Sequence, residues 1–140
     1  MTGRSVLAVV CVFSALVGGL VAATGVPEDE AQTAAESWLA LVDGGSYAES
    51  WERAASVFKT AVKKDDWSRA VTGARGPLGK VVSRKLKSRK YTEKLPGAPD
   101  GNYVVMQFDS SFANKKNAVE TVTFMQEKDG KWKAAGYYIK

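Results

Sequence analysis

The chain has 140 residues, with 20 Lys and Arg against 15 Asp and Glu (net charge +5), no histidine and one cysteine. An apolar N-terminal segment, once set aside, leaves about 115 residues, a usual size for a single core, so one domain over residues 24–140 is expected. With no His, and with Cys11 inside the apolar segment, the usual zinc and copper sites, Ser-His-Asp and Cys-His nucleophiles and Cys-x-x-Cys redox pairs are excluded from that domain, and no metal or cofactor is expected.

Arg4 followed by the apolar run Val6 to Leu20 and the short residues Val21-Ala22-Ala23 has the form of a secretory leader, which predicts export with cleavage after Ala23. An uncleaved anchor is the alternative, and membrane contact is expected only through it. Pro27-Glu28-Asp29-Glu30 starts a helix, because Pro is tolerated in the first turn and acids complement the positive end of the helix dipole. Ala31, Ala34, Ala35, Trp38, Leu41 and Val42 recur at helical spacing, and Gly44-Gly45 stops the helix. Ser46 with Glu49 reads as a capping box opening a second helix that carries Tyr47, Trp51, Ala54, Ala55 and Phe58 to about Val62. Asp65 or Asp66 caps a shorter third helix with Trp67, Ala70 and Val71, ending in the turn-rich run from Gly73 to Gly79.

From Lys80 the period becomes strand-like. Strands are expected over Val81 to Tyr91, Tyr103 to Phe112, Val119 to Glu127 and Trp132 to Ile139, with turns at Asn114 to Asn117 and at Asp129-Gly130. Helices followed by an antiparallel meander define an α+β class, with the helices on one face of a curved four-stranded sheet. Charge is divided along the chain: nine acids and four bases lie between Thr24 and Asp66, six acids and fifteen bases beyond.

Symmetrical turns would place Tyr103, Asp109, Glu120, Val122, Phe124 and Tyr137 on one sheet face and Val104, Met106, Phe108, Met125, Trp132 and Tyr138 on the other. Both faces would then be apolar, and helices can cover only one. The uncovered face is expected to form a pocket, a homodimer interface or a protein-partner site. Three functional readings follow. A binding or assembly domain would take a small apolar ligand among Trp51, Trp67, Arg84, Phe124 and Tyr137. An acid/base enzyme would use Asp109 or Glu120 with Tyr137 as hydrogen-bond donor, though two such acids neutralised by Arg84 are more often structural. The basic strand would dock on an anionic surface through Lys85, Lys87, Arg89 and Lys90, with nucleic acid disfavoured because the strand lacks interleaved aromatics.

Trp38-Leu39, Asp43, Tyr47, Ser50-Trp51, Phe58, Trp67, Arg75-Gly-Pro-Leu-Gly79, Arg84, Glu120-Thr-Val122, Asp129-Gly130, Trp132 and Gly136-Tyr137 together resemble the bacterial domain of unknown function 4019 family. The resemblance covers essentially the whole chain after the leader. It implies a small exported protein with a layout similar to the cystatin-like and nuclear-transport-factor-2-like cones, and it carries over no catalytic residue. Many cone enzymes use His-Asp or Tyr-Asp pairs, and this chain has no His.

Overall fold

A computed structural model of the protein describes residues 26–140. The leader expected over residues 1–23 lies outside them. Four helices, α1 (Pro27–Asp43), α2 (Tyr47–Glu52), α3 (Ser56–Ala61) and α4 (Lys64–Arg75), lead through a 3₁₀ turn, Gly76–Leu78, into β1 (Val81–Thr92), β2 (Tyr103–Phe112), β3 (Lys115–Gln126) and β4 (Trp132–Ile139). The strands form one antiparallel sheet in the order β1-β2-β3-β4, with helices packed on one face: the α+β class expected from the pattern.

The first helix begins at Pro27 and buries Ala31, Ala35, Trp38, Leu39 and Val42 on one stripe. Its end is a Schellman motif: Ser46 N–H donates to Leu41 O at 2.8 Å and Gly45 N–H to Val42 O at 3.1 Å, with Gly45 at φ 79°. Ser46 is therefore spent on closing α1, and its side chain makes no capping bond to α2.

The single second helix expected to reach Val62 is instead α2 and α3. The break falls at Ala54 and Ala55, both buried, where Ala55 N–H donates to Ala134 O of β4 at 2.8 Å. A bond to the sheet replaces a helical one. The new helix start at Ser56 is capped from across the molecule, since its N–H donates to Glu127 Oε1 at 2.7 Å. The last helix is also longer than expected, passing Gly73 to end at Arg75.

β1, β2 and β4 keep their expected limits to within a residue, but β3 begins four residues earlier than expected and both hairpin registers depart from the symmetrical ones. The β2–β3 turn is the two residues Ala113-Asn114, so β3 starts at Lys115, and a bulge follows between Ser110 and Phe112. The loop before β1 holds this turn: Asn114 N–H donates to Leu78 O and Ala113 N–H to Lys80 O, each at 2.8 Å, and Asn114 Nδ2 donates to Pro77 O at 3.0 Å. Phe108 therefore faces Glu120, where the symmetrical turn put Ser111 there, and that odd shift exchanges the faces of β2 relative to β3. Between β3 and β4, Glu120 opposite Ile139 and Val122 opposite Tyr137 stand as expected. A bulge then sets Phe124 against Ala134 and Gln126 against Trp132. The tip is a longer loop in which Gly130, at φ 87°, donates its N–H to Glu127 O, rather than a two-residue turn.

These shifts overturn the expectation of two apolar faces. Val104, Met106, Phe108, Val122, Phe124 and Trp132 all join the helix-side core with Trp38, Phe58 and Trp67. Tyr103 is buried at the sheet end with its hydroxyl on Pro99 O at 2.5 Å. What remains on the outer face is mixed: Val105, Val119 and Met125 are half-buried among Gln107, Asp109, Thr121 and Thr123, and Tyr138 is exposed.

Candidate functional site

The inner face carries a cluster of charged side chains at one end of the aromatic core. Glu120, on β3, is fully buried. Arg84 of β1 donates to it through Nε (2.7 Å, Oε1) and Nη2 (3.2 Å, Oε2), Ser110 of β2 donates to Oε1 at 2.6 Å, and Tyr137 of β4 donates its hydroxyl to Oε2. The other side of the Arg84 guanidinium grips Asp43 at the end of α1, with Nη1 to Oδ2 at 2.8 Å and Nη2 to Oδ1 at 2.9 Å. Arg75, the last residue of α4, also donates to Asp43 Oδ1 at 2.9 Å, reaches Tyr137 Oη at 3.5 Å and lies over Phe112 with its guanidinium carbon 4.8 Å from the ring centre.

Two guanidiniums and two carboxylates sum to zero charge, which suits a cluster in which Glu120 and Arg75 are cut off from water while Asp43 and Arg84 keep an edge at the surface. Burial works against the Asp43 charge, but hydrogen bonds and attraction from Arg84 and then Arg75 outweigh it, holding its carboxyl below the ordinary 3.8. Burial first, then the neighbouring Glu120 charge, push the Tyr137 hydroxyl well above its ordinary range, so it stays a proton donor. Burial opposes the Arg84 charge as well, and its bonds to Asp43 and Glu120 overcome that and raise its pKa. Arg75 Nε is buried with no partner among the described residues.

Chemically this is a closed arrangement. Both oxygens of Glu120 are occupied, by Arg84 on each and by Ser110 and Tyr137 in turn, so no lone pair is left aimed at a substrate. The pairing of Asp109 with Glu120 does not form: Asp109 is exposed on the outer face, opposite Lys85 and Val119. Arg84 does neutralise Glu120. Sequence reasoning missed Asp43, Arg75 and Ser110 as members. The signal was present for Asp43, an acid at the negative end of a helix where a base is favoured, a position that calls for a cationic partner from elsewhere.

The apolar ligand set divides. Trp67 is core, 5.1 Å from Phe58 and 5.9 Å from Trp38 between ring centres, with Nε1 donating to Ser50 Oγ at 2.9 Å. Trp51 donates to Val62 O at 2.7 Å and lies under the ammonium groups of Lys59 and Lys64. Tyr137 and Arg84 belong to the charged cluster. Phe124 of this set lines an open concavity, a groove of about 460 Å³ between α1 and the β3–β4 hairpin. Its apolar lining is Ala34, Trp38, Leu41, Phe124 and Trp132, and its rim carries Glu52, Arg53, Lys131 and Lys133. Lys64 is bound to Glu52 at 2.6 Å and Glu49 to Arg53 at 2.8 Å. Lys131 and Lys133 have no ion-pair partner among the described residues.

Of the basic-strand residues, Arg89 turns inward and binds Asp29 at 2.6 Å and Gln32 at 3.0 Å on α1, whereas Lys85, Lys87 and Lys90 are exposed. Among the described residues no helix is long and apolar enough to cross a membrane.

Helices laid on one face of an open four-stranded antiparallel sheet, with a neutral ion cluster closing one end of the core, define a class of small α+β domains. Within that class the chain belongs to the family described as "Protein of unknown function (DUF4019)", whose sequence profile matches residues 34–137. The match takes in Asp43, Arg75, Arg84, Ser110, Glu120 and Tyr137. No curated protein matches the chain.

Proposed function

We propose that the chain is an exported, non-catalytic binding domain that takes a small apolar ligand bearing negative charge in the groove between α1 and the β3–β4 hairpin. One observation carries this reading: an apolar lining of Trp38, Leu41, Phe124 and Trp132 lies beside two lysines, Lys131 and Lys133, that no carboxylate neutralises among the described residues. Its volume falls within the range of small-molecule sites. The acid/base alternative is disfavoured because Glu120 is saturated and Asp109 stands apart from it on the opposite face.

The test is titration with anilinonaphthalene sulfonate, an apolar anion, read by its emission and by Trp fluorescence. Binding is expected in the parent and is lost in Ser37→Phe, which places a ring in the groove from an exposed helical position without entering the core. Equal binding by the variant would overturn the proposal. Export is tested by the intact mass of protein recovered outside the cytoplasm, which should lack residues 1–23.

A further inference from the structure

We infer that the outer face of the sheet binds an acidic polysaccharide chain, independently of the groove. The fold sorts charge onto its two sides. All nine acids between Thr24 and Asp66 lie on the helices, while the outer sheet face carries lysines from β1, β3 and the residue after β4.

Two hollows open on that face. One, of about 410 Å³, is lined by Lys85, Lys116 and Lys140 with Ser111, Asn117 and a single acid, Asp109. The other, of about 350 Å³, is lined by Lys90 and Lys94 with Ser88, Thr92 and Gln107 and holds no acid. None of these five lysines is ion-paired among the described residues. Lys85 and Lys90 are five positions apart on one strand, roughly 15 Å at strand rise with a bulge between them, so a single small anion cannot meet both and a chain with repeating negative charge can.

The hydroxyl and amide groups between the lysines choose among polyanions. They offer hydrogen-bond donors and acceptors of the kind sugar hydroxyls need. Nucleic acid asks for stacking platforms, and the outer face has one exposed ring, Tyr138, because Tyr103 is buried. A lipid surface is flat, and these lysines surround hollows. Face-to-face pairing of two copies is disfavoured, since it would set lysine against lysine.

The experiment is calorimetric titration of the full chain with polygalacturonate, neutral dextran, single-stranded DNA and phosphatidylglycerol vesicles at two salt concentrations. Polygalacturonate is expected to bind tightest and to weaken with salt, as exposed charge pairs do. Lys85→Gln/Lys90→Gln/Lys116→Gln should weaken it about tenfold, or about 1.4 kcal/mol over three exposed pairs. A control of equal charge change away from this face, Lys63→Gln/Arg69→Gln/Lys128→Gln, should leave it within about twofold. Absent binding, tighter binding to DNA or vesicles, or an equal loss in the control would overturn the inference. Because the groove is tested with a different probe and variant, the two proposals stand or fall separately.

Discussion

Replacing Arg84 by Met removes the side chain that contacts both carboxylates of the buried cluster. Glu120 is left with no access to water and with only the Ser110 and Tyr137 hydroxyls, and Asp43 keeps Arg75 alone. Breaking a buried pair by removing one member typically costs about 3–5 kcal/mol, because the survivor stays charged without compensation. That is a large share of the roughly 5–15 kcal/mol that holds a domain folded. At about 4 °C per kcal/mol for a domain of this size, the melting temperature should fall by roughly 12–20 °C. Urea unfolding of Arg84→Met, Glu120→Met and the double variant supplies the cycle. The double should be less damaged than the sum of the singles by about 2–3 kcal/mol, since it leaves no orphaned Glu120 charge. A loss under about 1 kcal/mol in Arg84→Met, or additive singles, would refute the cluster as a coupled unit.

Three further outcomes are expected. Because the Asp43 carboxyl is held below 3.8 in the folded protein, the unfolded chain takes up its proton first as pH falls. The Asp43 contribution is therefore complete above that value and is lost as pH drops through the folded one, so Asp43→Asn should flatten the acid limb of stability against pH in urea titrations. Gly79→Ala should cost about 1–3 kcal/mol in the same assay, since Gly79 sits at φ 76° and an added Cβ would lie 3.1 Å from the Ala113 Cβ. Glu127→Ala should cost about 1 kcal/mol and speed hydrogen exchange at the Ser56 amide, which it caps.

The strands were legible because their alternation and bounding turns are local; β2 and β4 have the expected limits. Register was less so. Nothing in Asn114-Lys-Lys-Asn117 says that Asn114 will be claimed by Pro77 and Leu78, and that contact, far along the chain, decides which acids share a face. The α2–α3 break is likewise set from a distance: Ala55 reads as a good helix former, yet its N–H belongs to β4. Trp38 and Trp67 stand at helical spacing, the usual mark of a core face, and both are core. The charged cluster was readable only in its Arg84–Glu120 half, because Asp43 and Arg75 look like ordinary surface charges until the ends of α1 and α4 meet.

The cluster draws its members from α1, α4 and all four strands. Peeling away β1 would strand the Glu120 ion in oily surroundings, and loss of any other element would leave a charge or hydroxyl short of a partner, so half-assembled forms are penalised. Unfolding should then be all-or-none, with no edge strand fraying ahead of the rest and little time spent in sticky intermediates.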